Sequence, residues 1–524
     1  MDKVMYIVYG LLAILTFYQI RYYLHMLQQN SYRNERFTRW LKNYFPSRKR
    51  NAEVVLIILA VALMFFFLQI PAIIVNVFLI LILLVAIFYK KEKKPLVFTD
   101  RAKRIFGVAL LLGIAYYAVV FLFVKKEYLR LLLLNLGYLF SFLFVFGSNI
   151  ILVPVQANIN NWYYNDAKKI LQGMPNLTII GITGSYGKTS TKHYLHRILS
   201  EKYNVLMTPG SYNTLMGVII TIRRDLKPYH NVFIVEMGAK QNGDIKEICD
   251  LVNPKYGILT AVGGQHLETF KSIENVQKTK FELVDALPSD GLAILNSDFP
   301  YVANRSVTNV AYQYYGLKGD DVAITAKDIS YDHEGMQFNV FEKGKELVSL
   351  QTKILGDYNV SNLLACVLMA KKLGVEYSDM HYGAKRIQPV KHRLEMKKSP
   401  NNVTILDDAF NSNPLGAKMA LDVMGRFEGG KKIIITPGMV ELGTEQEALN
   451  QTFGEQISEV CDYVVLVGEK QTKPILAGLK NKNFSEEKIF VVKSFDDGIK
   501  QLQGIVTAGD VVLYENDLPD AYLN

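Results

Sequence analysis

Two kinds of hydrophobic pattern divide the chain. Up to about residue 155, apolar residues come in five long runs, at Val4 to Ile20, Ala52 to Ile70, Ala72 to Tyr89, Ile105 to Val124 and Leu131 to Pro154. A helix needs about 20 such residues to cross hydrocarbon, so the pattern predicts five membrane spans. The second and third are split by a turn at Gln69-Ile70-Pro71. No small-residue cleavage site follows the first run, which argues against a signal peptide. From Leu177 onward the apolar runs are short. "LTIIGITG", "NVLMTPG", "NVFIVEMG", "YGILTAVG" and "LAILNSD" read as buried strands, and "KTSTKHYLHRILSEK", "LMGVIITIRRDL", "GDIKEICDLV" and "NVQKTKFELVDAL" read as amphipathic helices among them. Continuous apolar strands alternating with helices predict a parallel sheet covered on both faces. Residues 307 to 353 alternate apolar and polar positions instead, which predicts a small antiparallel insert. A second α/β unit starts near Val390, with strands in "NVTILDDAF", "KKIIITPGM", "DYVVLVGE", "KIFVVKS" and "DVVLYEN". The predicted organisation is an α-helical membrane domain (1–155), then an α/β domain with a mainly parallel sheet (156–389), then a C-terminal Rossmann-like α/β domain (390–524).

Charge adds a topology. The formal net charge is +10, and much of the excess sits in "RNERFTRWLKNYFPSRKR" and "KKEKKPLVFTDRAKR", both beside apolar runs. That position favours cytoplasmic loops facing anionic lipid over a nucleic-acid surface. The N-terminus is then outside, and five spans leave everything after Pro154 in the cytoplasm, where ATP is. The three cysteines, Cys249, Cys366 and Cys461, lack the spacing of a zinc site or a disulfide framework. Asn76, Asn135 and Asn149 are polar at membrane depth, where hydrogen bonding between helices is the common role.

The chemistry enters at residues 181 to 195, "GITGSYGKTSTKHYL". A buried strand runs into a glycine-punctuated loop and then a helix, the mechanics of a phosphate-binding loop. Glycines at 184 and 187 let backbone N–H groups close on phosphate oxygens. Lys188 would neutralise β- and γ-phosphates, and the Thr189 hydroxyl would ligate Mg²⁺. The candidate nucleotide contacts are therefore Gly184, Ser185, Tyr186, Gly187, Lys188, Thr189 and Ser190. Ile182 stands at the first glycine position of the strict motif. Glu236, at the end of "NVFIVE", lies where ligands bind α/β sheets.

The TGxxGKT variant, with later motifs in order, resembles the Mur ligase family, above all its D-alanyl-D-alanine-adding branch. "GSYNTLMG" resembles the family's asparagine-rich segment and offers Asn213 and Thr214 to substrate. The resemblance implies that Glu236 in "VEMGA" and His266 in "GGQHLETF" bind Mg²⁺. It also implies that Lys280 in "QKTKFELV" is carbamylated, giving an anionic ligand for a second Mg²⁺; by spacing alone it would be a solvated helix lysine. "GDYNVSNLLA" places Asn359 and Asn362 near the adenine, with Tyr358 where the family has His. Arg393 in "KHRLE" matches a phosphate-contacting arginine at the hinge to the last domain. In "DDAFNSNP", Asp407 or Asp408 would meet the ribose or adjacent substrate, and Asn411 and Asn413 would help seat substrate. The same segment also reads as an Asx-rich turn capping a helix at Pro414.

The resemblance implies ATP-dependent amide formation in bacterial cell-wall synthesis, using Mg²⁺. A muropeptide-type carboxylate would be activated as an acyl phosphate and joined to an amino acid or to a dipeptide such as D-alanyl-D-alanine. Lys188, Glu236, His266, Lys280 and Arg393 would carry the chemistry. Two departures stand out. Membrane spans replace the family's soluble domain for the uridine nucleotide, so a lipid-linked acceptor competes with a nucleotide-linked one. The family's K-G-S segment is replaced by "VVLYENDLPDAY". A P-loop-energised transporter lacks its "LSGGQ" stretch here, and a non-catalytic scaffold would not need the intact Lys188, Thr189, Glu236, His266 and Lys280.

Overall fold

The computed structural model describes residues 2–44, 55, 95–264, 270–318, 321–332, 335–389, 391–399, 401–410, 412–427 and 429–517. The second and third expected spans, with Asn76, lie outside them, Val55 excepted. The chain divides into two compact units, Met1–Trp162 and Tyr163–Asn524.

The first unit is helical, with α1 (Asp2–Gln29), α2 (Asn34–Tyr44), α3 (Asp100–Phe123), α4 (Glu127–Leu139), α5 (Phe142–Ile151) and the start of α6 (Val153–Gln172). Among the described residues two helices, Met5–Gln29 and Asp100–Phe123, are long and apolar enough to cross a membrane. The expected pass at Leu131–Pro154 falls on two helices, α4 and α5, which pass the same test together as a pair bent by 61°. At the break, Ser141 turns its hydroxyl onto the Tyr138 carbonyl (2.8 Å). Gly137 brings α4 against α3, since a Cβ there would lie 2.5 Å from Tyr116 Cε1. Several polar groups within the bundle find hydrogen-bond partners inside it, as a hydrocarbon solvent favours. Thr16 shares a hydrogen bond with Tyr117 (2.7 Å), and Asn135 donates to Leu131 O within its own helix (2.9 Å). Asn149 reaches another segment, at Tyr32 O and Asn34 Oδ1. Leu111, Ile114, Leu122 and Phe123 of α3 are exposed.

The second unit opens with a six-stranded parallel sheet. Its strands are β1 (Thr178–Thr183), β2 (Val205–Met207), β3 (Val232–Glu236), β4 (Tyr256–Leu259), β5 (Leu292–Asn296) and β6 (Tyr312–Tyr315), in the order β2-β3-β1-β4-β5-β6. Successive residues of β1 feed opposite cores. Ile180 and Ile182 pack with α7 (Lys188–Leu199). Ile179 packs in the core that also holds α8 (Leu215–Asp225), α9 (Asp244–Val252) and α10 (Ile273–Asp285). Burial of both faces explains the continuous apolar strands. The antiparallel insert is β7 (Thr325–Asp332), β8 (Gly335–Glu342) and β9 (Lys345–Thr352). It begins later than the alternation suggested, because Tyr312–Tyr315 pairs parallel to β5 and extends the main sheet. The insert shares one core with α11 (Asp357–Lys372), which precedes α12 (Tyr377–Lys385).

The second sheet contains β10 (Glu395–Lys398), β11 (Thr404–Asp408), β12 (Lys432–Thr436), β13 (Tyr463–Val467), β14 (Ile489–Val492) and β15 (Val511–Glu515). Its order is β10-β11-β15-β12-β13-β14. It is parallel except for β10, which returns antiparallel on β11. Helix α13 (Pro414–Gly425) follows β11.

Candidate active site

The loop after β1 can be built only with glycine. Gly184 has φ +150°, and a Cβ there would stand 2.1 Å from Thr260 Oγ1; Gly187 has φ +79° and abuts Asn362 Oδ1 and the Tyr358 hydroxyl. Ser185 anchors the loop to the end of β4, its N–H donating to Ala261 O (2.8 Å) and its hydroxyl bridging to Gly263. Helix α7 then starts at Lys188 with its positive end toward the loop. Gly184→Ala is expected to cost about 1–3 kcal/mol through overpacking and strain. A lowered melting temperature together with weakened nucleotide binding would show it.

Lys188 folds back on this loop, donating to Gly184 O (2.6 Å) and Ser185 O (3.2 Å). Burial lowers its pKa to about 8, Glu236 opposing and Arg393 reinforcing the shift. Glu236 is fully buried at the end of β3. Its Oε1 accepts hydrogen bonds from Thr189 (3.1 Å) and Asn213 (3.0 Å), and its Oε2 faces the Lys192 ammonium at 2.9 Å. Burial raises the Glu236 pKa, but Lys192 and Lys188 outweigh it and hold the carboxyl below its ordinary range. Lys192 is a residue that sequence reasoning missed. It is 0% exposed, lies one helical turn beyond Lys188, and also donates to Gly210 O (2.6 Å). Its signal was the i, i+4 spacing that puts both lysines on one helix face.

Lys280, far from being a solvated lysine, is 3% exposed on α10. Burial brings its pKa to about 7, and the Lys188 charge pushes the same way. Among the described residues no ion pair or hydrogen bond reaches its amine. His266 and Asn411 lie outside the described residues.

The remaining candidates have defined local tasks. Thr214 caps α8 through Gly217 N (3.4 Å), and Asn413 caps α13 through Gly416 N (3.0 Å), so the helix-capping reading of "NSNP" is realised. Asn359 and Asn362 tie α11 to α7 through Tyr194 (2.9 Å) and Thr191 (3.1 Å). Burial raises the Tyr186 phenol to about 12, and Ser190 lies on the first turn of α7. The two aspartates separate. Asp407 is pinned by Lys397 (2.6 Å) and His392 (2.8 Å). Asp408 accepts from Leu394 N (3.0 Å), and burial raises it to about 6 against the pull of Arg393. Arg393 lies over the Phe410 ring at 4.4 Å. With Thr189 it lines a cavity of about 440 Å³ whose other charged walls are all basic, including Arg197, Arg386 and Lys391. Glu515, also unforeseen, lies opposite Asp408 in register at the end of β15 and is bound by the Ser412 hydroxyl (2.6 Å). The "VVLYEN" departure therefore puts an acid at this strand end.

A phosphate-loop strand, a buried carboxylate beside it and a second α/β sheet bearing a cationic hinge define an ATP-dependent carbon–nitrogen ligase. The Mur ligase middle domain matches residues 182–370, and the Mur ligase glutamate ligase domain matches residues 392–514. This chain belongs to the Mur ligase family. The UDP-N-acetylmuramoyl-tripeptide–D-alanyl-D-alanine ligase of Bacillus subtilis is 28% identical over 351 residues, 67% of this chain and 75% of that protein. The enzyme of the same name from Mycobacterium tuberculosis is 30% identical over 249 residues, 47% of this chain and 49% of that one. Among solved structures, the MurF ligase of Thermotoga maritima in complex with ADP superposes with TM-score 0.62 at 25% identity, covering 68% of this chain and 80% of that one.

Proposed function

We propose that this protein is a membrane-anchored ligase that joins a muropeptide-type carboxylate to an amino acid or to a dipeptide such as D-alanyl-D-alanine. Its parts would be a membrane domain (1–155), an ATP-binding domain (156–389) and a C-terminal domain (390–524). The N-terminus would be outside and the ligase domains in the cytoplasm. The observation that carries the reading is the Glu236 carboxylate, held by Thr189, Asn213 and Lys192 directly beside the Lys188 loop.

Loop amides and Lys188 would hold the phosphates of ATP. Asn359, Asn362 and Asp408 would meet the nucleoside, while Asp407 is already spent on Lys397 and His392. The acceptor carboxylate oxygen attacks the γ-phosphorus, and the bond to the β-phosphate oxygen breaks, giving acyl phosphate and ADP. The incoming amine then adds to the acyl carbon, loses a proton, and phosphate departs. Every step gathers negative charge at one place, so fixed cations dominate the catalysis. Lys188 on one side and Arg393 on the other supply them.

The residues present also fit Mg²⁺. It prefers oxygen donors and takes few protein ligands when phosphates supply the rest, and the Glu236 carboxylate and Thr189 hydroxyl are such donors 3.1 Å apart. Among the described residues no three His, Cys, Asp or Glu gather as a metal site. The second ion would therefore depend on His266 and on carbamylated Lys280. When bound, Mg²⁺ would neutralise phosphate charge.

Offered ATP, labelled D-alanyl-D-alanine and a nucleotide-linked muramoyl tripeptide, the full-length protein in detergent is expected to form ADP, phosphate and an amide in equal amounts. Mass spectrometry of the product checks this. ATP hydrolysis without any amide, with either nucleotide-linked or lipid-linked acceptor, would defeat the reading.

A further inference from the structure

Within the first unit, a cavity of about 230 Å³ opens where α1 gives way to α2, beside the starts of α3 and α6. Three arginines line it, Arg33, Arg101 and Arg104, with Glu35 as the only carboxylate among its described lining residues. Like charges gathered in a concave site repel unless an anion joins them. The described partners do not neutralise them. Arg101 lies over the Tyr32 ring at 4.4 Å, and Arg104 donates to Gln156 Oε1 at 2.9 Å. The Arg33 side chain has no partner among the described residues. The scaffold is built rather than incidental: Asn149, 6% exposed, fastens α5 to Tyr32 O (3.1 Å) and Asn34 Oδ1 (2.8 Å). The first turns of α2 and α3 both contribute lining residues, Asn34 and Glu35 from one and Arg101 from the other. Guanidinium forks match phosphate oxygens bidentately.

The walls are not all polar. Ile105, Leu152 and Val153 line the same cavity. Exposed apolar side chains extend along α3 at Leu111 and Ile114, and along α5 at Ile150 and Ile151. A cationic cavity continuous with hydrocarbon-facing helices matches a molecule that is phosphate at one end and long and apolar at the other. We propose that this cavity binds the phosphate or diphosphate headgroup of the lipid that carries the acceptor, with its chain along α3 and α5. The inference rests on the ligase reading only for what the lipid carries. It gives the membrane helices a substrate-binding task beyond anchoring.

The test uses the full-length protein in phosphatidylcholine nanodiscs with radiolabelled long-chain polyprenyl phosphate as probe. Saturable binding is expected, displaced by unlabelled polyprenyl diphosphate. Arg101→Gln and Arg104→Gln should each weaken it about tenfold, as for the loss of one charge-assisted hydrogen-bond pair. Thermal unfolding of the same samples, followed by helix content, reports folding. A variant whose melting curve departs from that of the unsubstituted protein is set aside, and Arg33→Gln, its side chain partnerless among the described residues, decides. Unchanged affinity in the folded variants overturns the proposal. So does equal displacement by phosphatidylglycerol, which would mark an ordinary headgroup site, or by soluble inorganic diphosphate, which would mark a site indifferent to the lipid. Failure of the ligase reading shows separately, as absent amide product with lipid binding intact.

Discussion

Lys188→Ala is expected to lower acceptor-dependent phosphate release by about a thousandfold or more, equivalent to about 4 kcal/mol of transition-state stabilisation. Nothing else on α7 can substitute, because the neighbouring Lys192 is held by Glu236 and Gly210 O. The fold should survive, since the substitution removes a buried ammonium whose bonds are to its own loop carbonyls. A melting temperature near that of the unsubstituted protein would confirm this. The Lys188 pKa, about 8 in the free protein, adds a signed consequence. Below pH 8 the ammonium is already charged and meets phosphate directly. Above it, nucleotide binding must take up a proton, so affinity should fall as pH rises through 8. Titration calorimetry in buffers of differing ionisation enthalpy reads that uptake. Full turnover by Lys188→Ala would remove this lysine from the chemistry.

How much of this was legible beforehand depended on distance along the chain. The phosphate loop was readable because its parts are contiguous: the apolar run of β1, glycines at 184 and 187, and a Lys-Thr pair opening a helix. Parallel sheets buried on both faces announce themselves as unbroken apolar runs, so "LAILN" and "VVLYE" were found as strands. β10 was not, because "EMKK" on an edge offers one apolar residue, Met396, and no apolar run. Lys192 was hidden for a different reason. A lysine in a helix reads as solvated until its partner Glu236 is brought in from another strand by the β1–β3 pairing, where Ile182 lies opposite Glu236. Asp407 and Asp408 could not be separated in sequence either. Successive strand residues face opposite ways, so one meets Lys397 and His392 while the other meets Leu394 N and the charge of Arg393.

The same distance effect bears on Lys280, whose burial converts an ordinary helix lysine into an unusual amine. Only the uncharged amine can attack the carbon of CO₂, and a proton leaves the nitrogen as the carbamate C–N bond forms. An ordinary lysine with pKa 10.5 is about 0.03% uncharged at pH 7. At a pKa of about 7, roughly half of the Lys280 side chains are ready, more than a thousandfold gain. Burial and the neighbouring Lys188 charge oppose the ammonium, whereas an anionic carbamate beside Lys188 gains from that same charge. Activity is therefore expected to fall in CO₂-free buffer and to fall further as pH drops below 7, where the amine reprotonates. Lys280→Ala should lose about a hundredfold or more in phosphate release, the scale of one missing electrostatic group, while ADP affinity stays close to that of the unsubstituted protein. Acetate, small enough to enter the space left by the side chain, should restore part of the loss by supplying the missing carboxylate. With ¹³C-labelled bicarbonate, a carbamate carbonyl resonance should appear in the unsubstituted protein and be absent from Lys280→Ala. Undiminished turnover without CO₂, together with no such resonance, would leave Lys280 a buried structural amine and require the second cation to find its ligands elsewhere.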